Sequence, residues 1–256
     1  MLDPAGLGLD VTHDRDATRS HRQPVGRSSP STLGHVPNPT EPLPPKIPTI
    51  RQVARVPWNG ERLLDGDSHA TQLYERVELT DLDLRHSTFS ECGFIGVDLT
   101  GSDLTGVHLV ETELTEIEAA HLRAPRSLWR QSRLTRSRLG AVEAYEAKLD
   151  QLVFSDSKIS YLNSRGSIWS DVLVQHCAID ELDLVGAKLT RVRFEDCQIR
   201  SLGVDRASCR SVDLRGAELR EVTGLVGLAG CTISNEQLYD LSGALATQLG
   251  INVARG

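Results

Sequence analysis

An apolar residue recurs at every fifth position from Leu79 to Leu219, with no residue inserted or deleted along the way. Of the 29 positions in this register, 28 are apolar and only Ser164 is not, whereas composition alone would place about 11 apolar residues there. A second register, which starts two residues earlier at Val77, contains no charged residue. A period of five fits neither an α-helix nor a long strand, whose side-chain periods are 3.6 and 2. The chain is therefore predicted to turn after every short strand.

Each five-residue unit is predicted to form one side of a coil. Two inward side chains flank one outward side chain, as in a very short strand, and the two remaining residues turn the chain. Glycine recurs at the second position after the inward centre, where a tight turn with a positive φ angle favours it. The glycines at this position are Gly96, Gly101, Gly106, Gly166, Gly186 and Gly216.

This pattern resembles the pentapeptide repeat family, whose consensus is Ala-(Asp/Asn)-Leu-x-x. Residues 100–109 and 185–189 stand close to that consensus. The resemblance implies an all-β fold, a right-handed quadrilateral β-helix with four units per coil. Residues 77–224 would then form about seven coils.

An independent property of the sequence supports a coil of four units. If every fourth centre stacks, Phe94, Leu114 and Leu134 lie in one bulky column. A neighbouring column contains three small centres in succession, and each has a large residue two positions earlier, as constant packing density requires. These pairs are Ala124 with Leu122, Ala144 with Val142, and Ser164 with Leu162.

The amino-terminal part differs in composition from the repeats. Ten of the eleven prolines lie in residues 1–57, and no hydrophobic period runs through that stretch. It is predicted to be disordered because it has too little apolar surface to offset the entropy of ordering. Either a flexible tail or a docking segment fits this composition, with a local extended conformation around Pro42, Pro44 and Pro45.

The two ends of a solenoid are open sheet edges and need covers. Residues 58–76 are predicted to cover the amino-terminal end, and residues 225–256 the other. Ser234 and Gln237 form a capping-box pattern that predicts an amphipathic helix over 235–249. This helix either caps the last coil or makes a dimer contact, which is how similar family members associate. Its apolar residues at helical spacing are Leu238, Leu241, Leu245 and Leu249.

Composition and motifs argue against several classes of function. The net charge of -7 disfavours direct binding to nucleic acid, and no apolar run is long enough to span a bilayer. Five cysteines without a Cys-x-x-Cys spacing favour a reducing cytoplasm, as does the absence of a signal sequence at the start. No histidines and carboxylates cluster at metal-ligand spacing. The sequence therefore predicts neither an enzyme nor a cofactor or metal site.

Charge is unevenly distributed along the repeats. Residues 75–118 carry 11 acidic and two basic side chains, whereas residues 141–224 carry 14 acidic and 11 basic ones. Between them lies an arginine belt about one coil wide, with no acidic residue. These zones are either an ordinary solvated surface or a charge-matched partner surface. The arginine belt consists of Arg123, Arg126, Arg130, Arg133, Arg136 and Arg138.

The resemblance also implies a more specific possibility. Some pentapeptide repeat proteins imitate duplex DNA and bind DNA gyrase through surface carboxylates, which affects fluoroquinolone action. In this chain a predicted outward acidic column is interrupted by Arg123. The arginine belt and the modest net charge weigh against mimicry. The acidic column consists of Asp83, Asp103, Glu143 and Asp183.

Apolar residues occupy several outward positions where the family places Asp or Asn. They are either scattered exposed side chains or, if contiguous, a patch for a protein partner or for self-association. The sequence as a whole predicts a non-catalytic protein-interaction module, with DNA mimicry toward gyrase as the alternative. The patch residues are Leu128, Val153, Ile168 and Leu173, with Tyr145 and Tyr161 in the same coils.

Overall fold

Residues 20 apart in the chain lie side by side in neighbouring parallel strands. Phe94 aligns with Leu114, Leu114 with Leu134, and Leu134 with Phe154. All four side chains are buried. The predicted 20-residue coil and its bulky inward column are therefore confirmed.

The computed structural model describes residues 41–254, which form a parallel β-solenoid followed by one α-helix. The strands assemble into a 15-stranded sheet and a six-stranded sheet. The strands of the larger sheet are β1 (Val56–Pro57), β2 (Ser68–Ala70), β3 (Gln72–Glu75), β4 (Thr88–Ser90), β5 (Gly93–Ile95), β6 (His108–Val110), β7 (Glu113–Thr115), β9 (Leu128–Arg130), β10 (Arg133–Thr135), β12 (Lys148–Asp150), β13 (Val153–Ser155), β15 (Ile168–Gln175), β17 (Lys188–Glu195), β19 (Ser208–Asp213) and β21 (Cys231–Thr232). Those of the smaller sheet are β8 (Glu118–Arg123), β11 (Arg138–Glu143), β14 (Lys158–Asn163), β16 (Ala178–Asp183), β18 (Cys197–Gly203) and β20 (Ala217–Thr223).

The solenoid has about nine turns rather than the predicted seven. Two of the extra rungs come from residues outside the strict five-residue period. Pro57 pairs with Leu73 at the amino-terminal end, and Asp213 pairs with Thr232 at the other. These partners are 16 and 19 residues apart rather than 20. A short irregular segment can therefore join the ladder when a neighbouring coil supplies the edge.

The corners of the coil explain the two sheets. Gly96, Gly101, Gly106, Gly166 and Gly186 have positive φ, as predicted. Gly216 does not; instead its hydrogen replaces a Cβ that would clash with the carbonyl oxygen of Phe194. Many corners place a residue other than glycine in the left-handed region, for example Gln131 with φ 50°. From β8 onward, the corner inside each strand of the six-stranded sheet has no residue with a positive φ. Two sides of the coil therefore merge there into one longer strand.

The one polar centre in the period has a structural reason. The Trp169 indole donates a hydrogen bond to the Ser164 hydroxyl oxygen over 3.0 Å, and the Ser164 and Ser167 hydroxyls are 2.9 Å apart. Trp129 makes a similar bond to Ser127. Because a buried indole N–H is costly to leave without an acceptor, a serine replaces the apolar residue here.

The amino-terminal cover is shorter than the predicted 58–76. Strands β2 and β3 already follow the 20-residue register, since His69 aligns with Phe89 and Tyr74 with Phe94. The cover is the preceding loop, which buries Leu63 against the core. The period is hidden there because the inward positions of the first coil are His69 and Tyr74 rather than aliphatic residues.

The carboxyl-terminal cover contains a 3-10 helix (Leu225–Leu228) and helix α1 (Asn235–Gln248). Both bonds of the predicted capping box are present between Ser234 and Gln237. The Gln237 amide also donates to the carbonyl oxygens of Leu214 and Ala217, over 2.7 and 2.6 Å, and so bonds the edge of the last coil.

The predicted apolar stripe of α1 does not pack as a unit. Leu241 is buried and Leu245 is half-buried, whereas Leu238 and Leu249 are 47% and 74% exposed. The helix thus covers the last coil with one turn and leaves two of its four leucines, together with Tyr239, in solvent. Its amphipathic character is weaker than the leucine spacing predicts because Gln237 takes a buried position on the same side.

The predicted disorder of residues 1–57 does not hold for residues 41–57. Residues 1–40 lie outside the described part of the chain. Residues 41–55, which we call the strap, have no regular secondary structure and lead into β1. Glu41 at the start of the strap contacts Arg215, and Val56 after its end pairs with Gln72. The strap therefore runs back along about seven coils, and its order comes from the solenoid rather than from its own sequence.

Candidate interaction surfaces

The predicted apolar patch is not assembled as one surface. Leu128 and Ile168 belong to the same outward column but are separated by Lys148. Leu128 is half-buried and Ile168 is 40% exposed. Tyr161 lies on a different sheet, where it aligns with Ala141. The remaining patch residues are divided between the corner at Tyr145 and the surface under the strap.

Val153 and Leu173 are neighbours, as predicted, but they do not face solvent freely. They align directly in β13 and β15, where Val153 is only 4% exposed and Leu173 is half-buried. The strap crosses at this level, because the Lys46 backbone bonds Asp171 and Gln151, which precede Leu173 and Val153 by two residues. The chain therefore covers part of its own predicted partner surface.

The predicted acidic column exists, but it carries little free charge. Bridges connect Asp83 with Asp103 and Asp103 with Arg123, and the column continues through Glu143 and Asn163 to Asp183. Asn163 is thus a second interruption of the column, in addition to Arg123. Asp83, Asp103 and Asp183 are each paired with an arginine.

The arginine partners differ in the strength of their contacts. Arg85 forms two hydrogen bonds to Asp83, at 2.7 and 2.6 Å, which lower the pKa of that carboxyl. Arg165 donates to the buried Asp183 over 2.5 Å, and Arg123 approaches Asp103 to 3.6 Å. Charge pairing of this kind reduces the field that a partner would meet.

The arginine belt surrounds the coil and is also partly neutralised. Its members occupy all four sides, and four of them lie within 4 Å of a carboxylate one coil away. These pairs are Arg123 with Asp103, Arg126 with Glu146, Arg130 with Asp150, and Arg136 with Glu116, at 3.6, 3.9, 3.5 and 3.3 Å. The two remaining members are Arg133, half-buried in the column beneath the strap, and the exposed Arg138.

A second acidic column was not found from the sequence. Glu78, Asp98 and Glu118 align in three successive coils, about 4.8 Å apart. Among the described residues none of the three forms an ion pair within 4 Å. A 20-residue spacing between carboxylates was the available signal. Like charges in register destabilise a sheet, so this column is a candidate contact for a cationic partner.

Beside this column lies a shallow groove of about 420 Å³ on the six-stranded sheet. We call the outward side of that sheet the flat face. One wall of the groove is a column of side chains that changes from acidic to basic along the solenoid. The adjoining column consists of small side chains. The wall consists of Asp98, Glu118, Arg138 and Lys158, and the small residues are Thr100, Ala120, Gly140 and Ser160.

The chemical groups of the described residues give little basis for catalysis. Burial raises the pKa of the Cys177 thiol to about 11, and burial likewise raises the pKa values of Cys92 and Cys197. A thiol with a raised pKa is a poor nucleophile. Within residues 41–254, no three His, Cys, Asp or Glu side chains are grouped to hold a metal ion. None of the helices in this range is long and apolar enough to cross a membrane.

The inward columns, the positive-φ corners and the 20-residue register agree with a match to a known family profile. The family profile described as Pentapeptide repeats matches residues 76–116 with 8 copies. Residues 76–116 therefore carry pentapeptide repeats. The match ends at Glu116, and the 20-residue register continues beyond it in the structure.

Solved structures of pentapeptide repeat proteins are similar to this one. Full-length QnrB1, a plasmid-mediated fluoroquinolone resistance protein, is 14% identical; the similarity covers 72% of this chain and 100% of QnrB1, with a TM-score of 0.27. HetL, a pentapeptide repeat protein involved in heterocyst differentiation regulation from the cyanobacterium Nostoc sp. strain PCC 7120, is 16% identical, with 62% and 75% of the two chains covered and a TM-score of 0.28. A comparison with curated protein sequences finds none that matches this chain.

Proposed function

We propose that this protein is a non-catalytic protein-interaction module and that the flat face is its main docking surface. The observation that carries the proposal is the groove in which Asp98 and Glu118 are followed by Arg138 and Lys158. A partner with basic groups at one end and acidic groups at the other matches this order. Opposed charge patterns of this kind fix the orientation of a partner and raise its association rate.

The backbone of the groove supports close approach by a partner. The exposed floor around Ala120 and Ser160 presents small side chains, and Gly140 lies so near Ala120 that a Cβ would clash with its carbonyl oxygen. Rigid strands in register also hold the charged side chains of the wall at fixed spacing. The buried free thiols Cys177 and Cys197 agree with a cytoplasmic location, which we include in the proposal.

The experiment compares two arginine substitutions on the same sheet. Ser160→Arg fills the groove, whereas Gln198→Arg places the same side chain at an exposed position two coils beyond Lys158. Partners are captured from host lysate with each variant and quantified against the wild type. We expect capture to fall at least about ten-fold with Ser160→Arg and to stay within about two-fold with Gln198→Arg. Equal capture by the two variants would contradict docking at the flat face.

We also propose that α1 provides a homodimer contact. Leu238, Tyr239 and Leu249 are exposed on or next to this helix, with Ile251 and Val253 exposed just beyond it. A cluster of exposed apolar side chains at one end of a solenoid suits a two-fold contact between copies. Replacing Tyr239 with Asp should shift the sedimentation coefficient from dimer to monomer, whereas Glu236→Lys, at an exposed polar site, should leave it unchanged.

DNA mimicry toward gyrase is the second candidate, and the unpaired column of Glu78, Asp98 and Glu118 favours it. Residues 75–118 carry a net charge of about -9, from 11 acids and two bases, over slightly more than two coils. At about 4.8 Å per coil this is near one charge per 1.2 Å, similar to the one per 1.7 Å of duplex DNA. The next four coils, residues 141–224, carry only -3, from 14 acids and 11 bases.

A supercoiling assay separates this candidate from the first. If the acidic coils imitate DNA, micromolar protein should inhibit purified gyrase, and replacing Glu78 and Glu118 with Gln should weaken inhibition several-fold. Glu218→Gln, an exposed residue in the same column five coils beyond Glu118, is the matched control. Absence of inhibition at micromolar protein would reject mimicry of gyrase DNA.

A further inference from the structure

We infer that the surface beneath the strap is a binding site for extended, proline-containing segments of another protein, and that residues 41–50 occupy it in cis. We call this surface the strap groove. The inference rests on the proposed function, because it gives the interaction module a second surface and a defined partner chemistry.

The strap groove has an apolar centre between charged ends. One outward column passes through six successive coils. Its two middle members are apolar, and the two members on either side of them are charged. In chain order they are Glu113, Arg133, Val153, Leu173, Arg193 and Asp213. Val153 is 4% exposed and Ile50 of the strap is 6% exposed, yet neither belongs to the interior core. Both are buried outside the coils, which indicates apolar contacts between strap and solenoid.

The centre of the groove binds the backbone N–H and the backbone carbonyl oxygen of one strap residue. The Lys46 N–H donates to Asp171 Oδ1 over 2.8 Å, and the Gln151 amide donates to the Lys46 carbonyl oxygen over 3.4 Å. Pro44 and Pro45 have no N–H, so the Lys46 N–H is the first backbone donor after them. The groove therefore recognises a free N–H that directly follows proline.

A charged anchor lies at one end of the groove. The Glu41 carboxylate pairs with the Arg215 guanidinium. Lys46 lies five positions after Glu41, and the buried Ile50 lies nine positions after it. The matching partner segment therefore carries an acidic residue, then proline, a free N–H five positions after the acidic residue and an aliphatic side chain about nine positions after it.

Contacts within the coils hold the polar groups of the groove in position. Arg191 donates two hydrogen bonds of 2.6 Å to Asp171, which lower the pKa of that carboxyl. Arg215 donates to Asp213 over 2.9 and 2.8 Å, so its guanidinium is positioned before Glu41 binds. Both pairs belong to the coils. A site that is preorganised in this way loses less entropy when a ligand binds.

The strap covers the groove incompletely and leaves one donor unsatisfied. Leu43 is 62% exposed, and no regular ladder bonds the strap backbone. Within the described residues, the buried Nε of Arg193 has no hydrogen-bond partner, and Asp213 lies 3.6 Å from it. A partner that supplied an acceptor here would gain a bond that the strap lacks. The strap thus competes in cis at high effective concentration but with an imperfect fit.

The test uses the full-length chain and a labelled peptide that copies residues 39–52. A release variant carries Glu41→Ala and Ile50→Asp, which weaken strap binding and leave the groove intact. The matched control is Leu43→Asp, at an exposed strap position. We expect the release variant to bind the peptide at least about ten-fold more tightly than the wild type and Leu43→Asp, because the cis competitor is removed. Amide exchange verifies that the strap is released.

A charge swap identifies the site. In the release background, Arg215→Glu should abolish binding of the copied peptide and restore binding of a peptide that carries arginine in place of Glu41. Leu173→Asp should abolish binding of both peptides. Thermal unfolding of each variant shows whether the solenoid is intact. If a released, folded variant binds neither peptide, the inference is rejected.

Sedimentation decides between two sources of the occupant. Both proteins carry Tyr239→Asp, which removes the proposed α1 contact, and a monomeric release variant that binds the peptide supports a segment from another protein. If the protein with the native strap instead dimerises in this background and the release variant does not, the occupant is the strap of a second copy, and the inference of a foreign segment is overturned. Neither result bears on the flat face, because Ser160→Arg and Gln198→Arg test that surface separately.

Discussion

The solenoid coils and the strap lie against each other but are stabilised in different ways. In the coils, backbone groups bond from each turn to the next, and inward side chains at Phe94, Leu114 and Leu134 fill the interior. The strap has no ladder and depends on side-chain contacts such as those of Asp171 and Arg215. The comparison shows that periodic sequence builds the rigid body, whereas a non-periodic segment becomes ordered only where that body offers a matching surface.

The largest difference between the two regions should appear when a core leucine is shortened. Leu134→Ala leaves a cavity in the inward column, and we expect a loss of about 2–5 kcal/mol in the free energy of unfolding. Leu43→Ala, in the exposed part of the strap, should change it by less than about 0.5 kcal/mol. Urea denaturation measures both. Similar losses for the two variants would contradict the assignment of stability to the coils.

The polar exception in the core should have a smaller but clear effect. Ser164→Ala removes the acceptor of the Trp169 indole, so we expect a loss of about 1–3 kcal/mol. Ser160→Ala, at an exposed position on the flat face, is the control. A double-mutant cycle with Trp169→Phe measures the coupling, and additive effects would show that the hydrogen bond contributes nothing.

The corners should respond to the positive φ angle itself. Gly186 has φ 69°, and an added Cβ would meet no atom within 4 Å, so Gly186→Ala tests the backbone alone. We expect a loss of about 1–2 kcal/mol. Gly243, inside α1, also has free space, and Gly243→Ala should stabilise the helix by up to about 1 kcal/mol. Thermal unfolding followed by circular dichroism measures whether the two substitutions change the stability in opposite directions.

Acid should release the strap with the smallest effect on total stability. The Arg191 hydrogen bonds hold the pKa of Asp171 below its ordinary value of 3.8. A lowered pKa in the folded state means that the stabilisation is complete above that ordinary value and is lost as pH falls through the lower one. Amide exchange at Lys46, corrected for its intrinsic pH dependence, should therefore keep its protection from pH 7 to about 4.

Below that range the protection of Lys46 should fall while inward strands remain protected. Asp171→Asn removes the titrating group, so its strap protection should be weaker at neutral pH and should show no such transition. If wild type and Asp171→Asn follow the same curve, Asp171 does not control the strap.

Much of the coil could be predicted because a strict period leaves few alternatives. The stacking of Leu114 on Leu134 follows from the five-residue period together with the four-unit coil that the family resemblance implies, and the capping box at Ser234 predicts the start of α1. The end rungs could not be predicted in the same way. Pro57 and Thr232 join the ladder at spacings of 16 and 19 residues, which depend on the shape of the adjoining coil.

The surfaces were harder to predict than the core. The strap touches residues 125 and 174 positions away in the chain, at Asp171 and Arg215, and no local pattern reports such contacts. The apolar patch was divided because the period gives the column of each residue but not what covers it. The charge of the acidic column was overestimated for a related reason, since Arg165 is 18 positions from Asp183 and lies outside the column.

The course of the strap gives the solenoid a polarity. Glu41 enters beside Arg215, and the Gln237 side chain of α1 bonds Leu214 in the same coil region. Residue 41 and the final helix are therefore found at one tip, while the first coil forms the other. A reporter joined before residue 41 and one joined after the helix would be brought together at that tip, and the opposite tip would stay free to meet a surface or a second molecule.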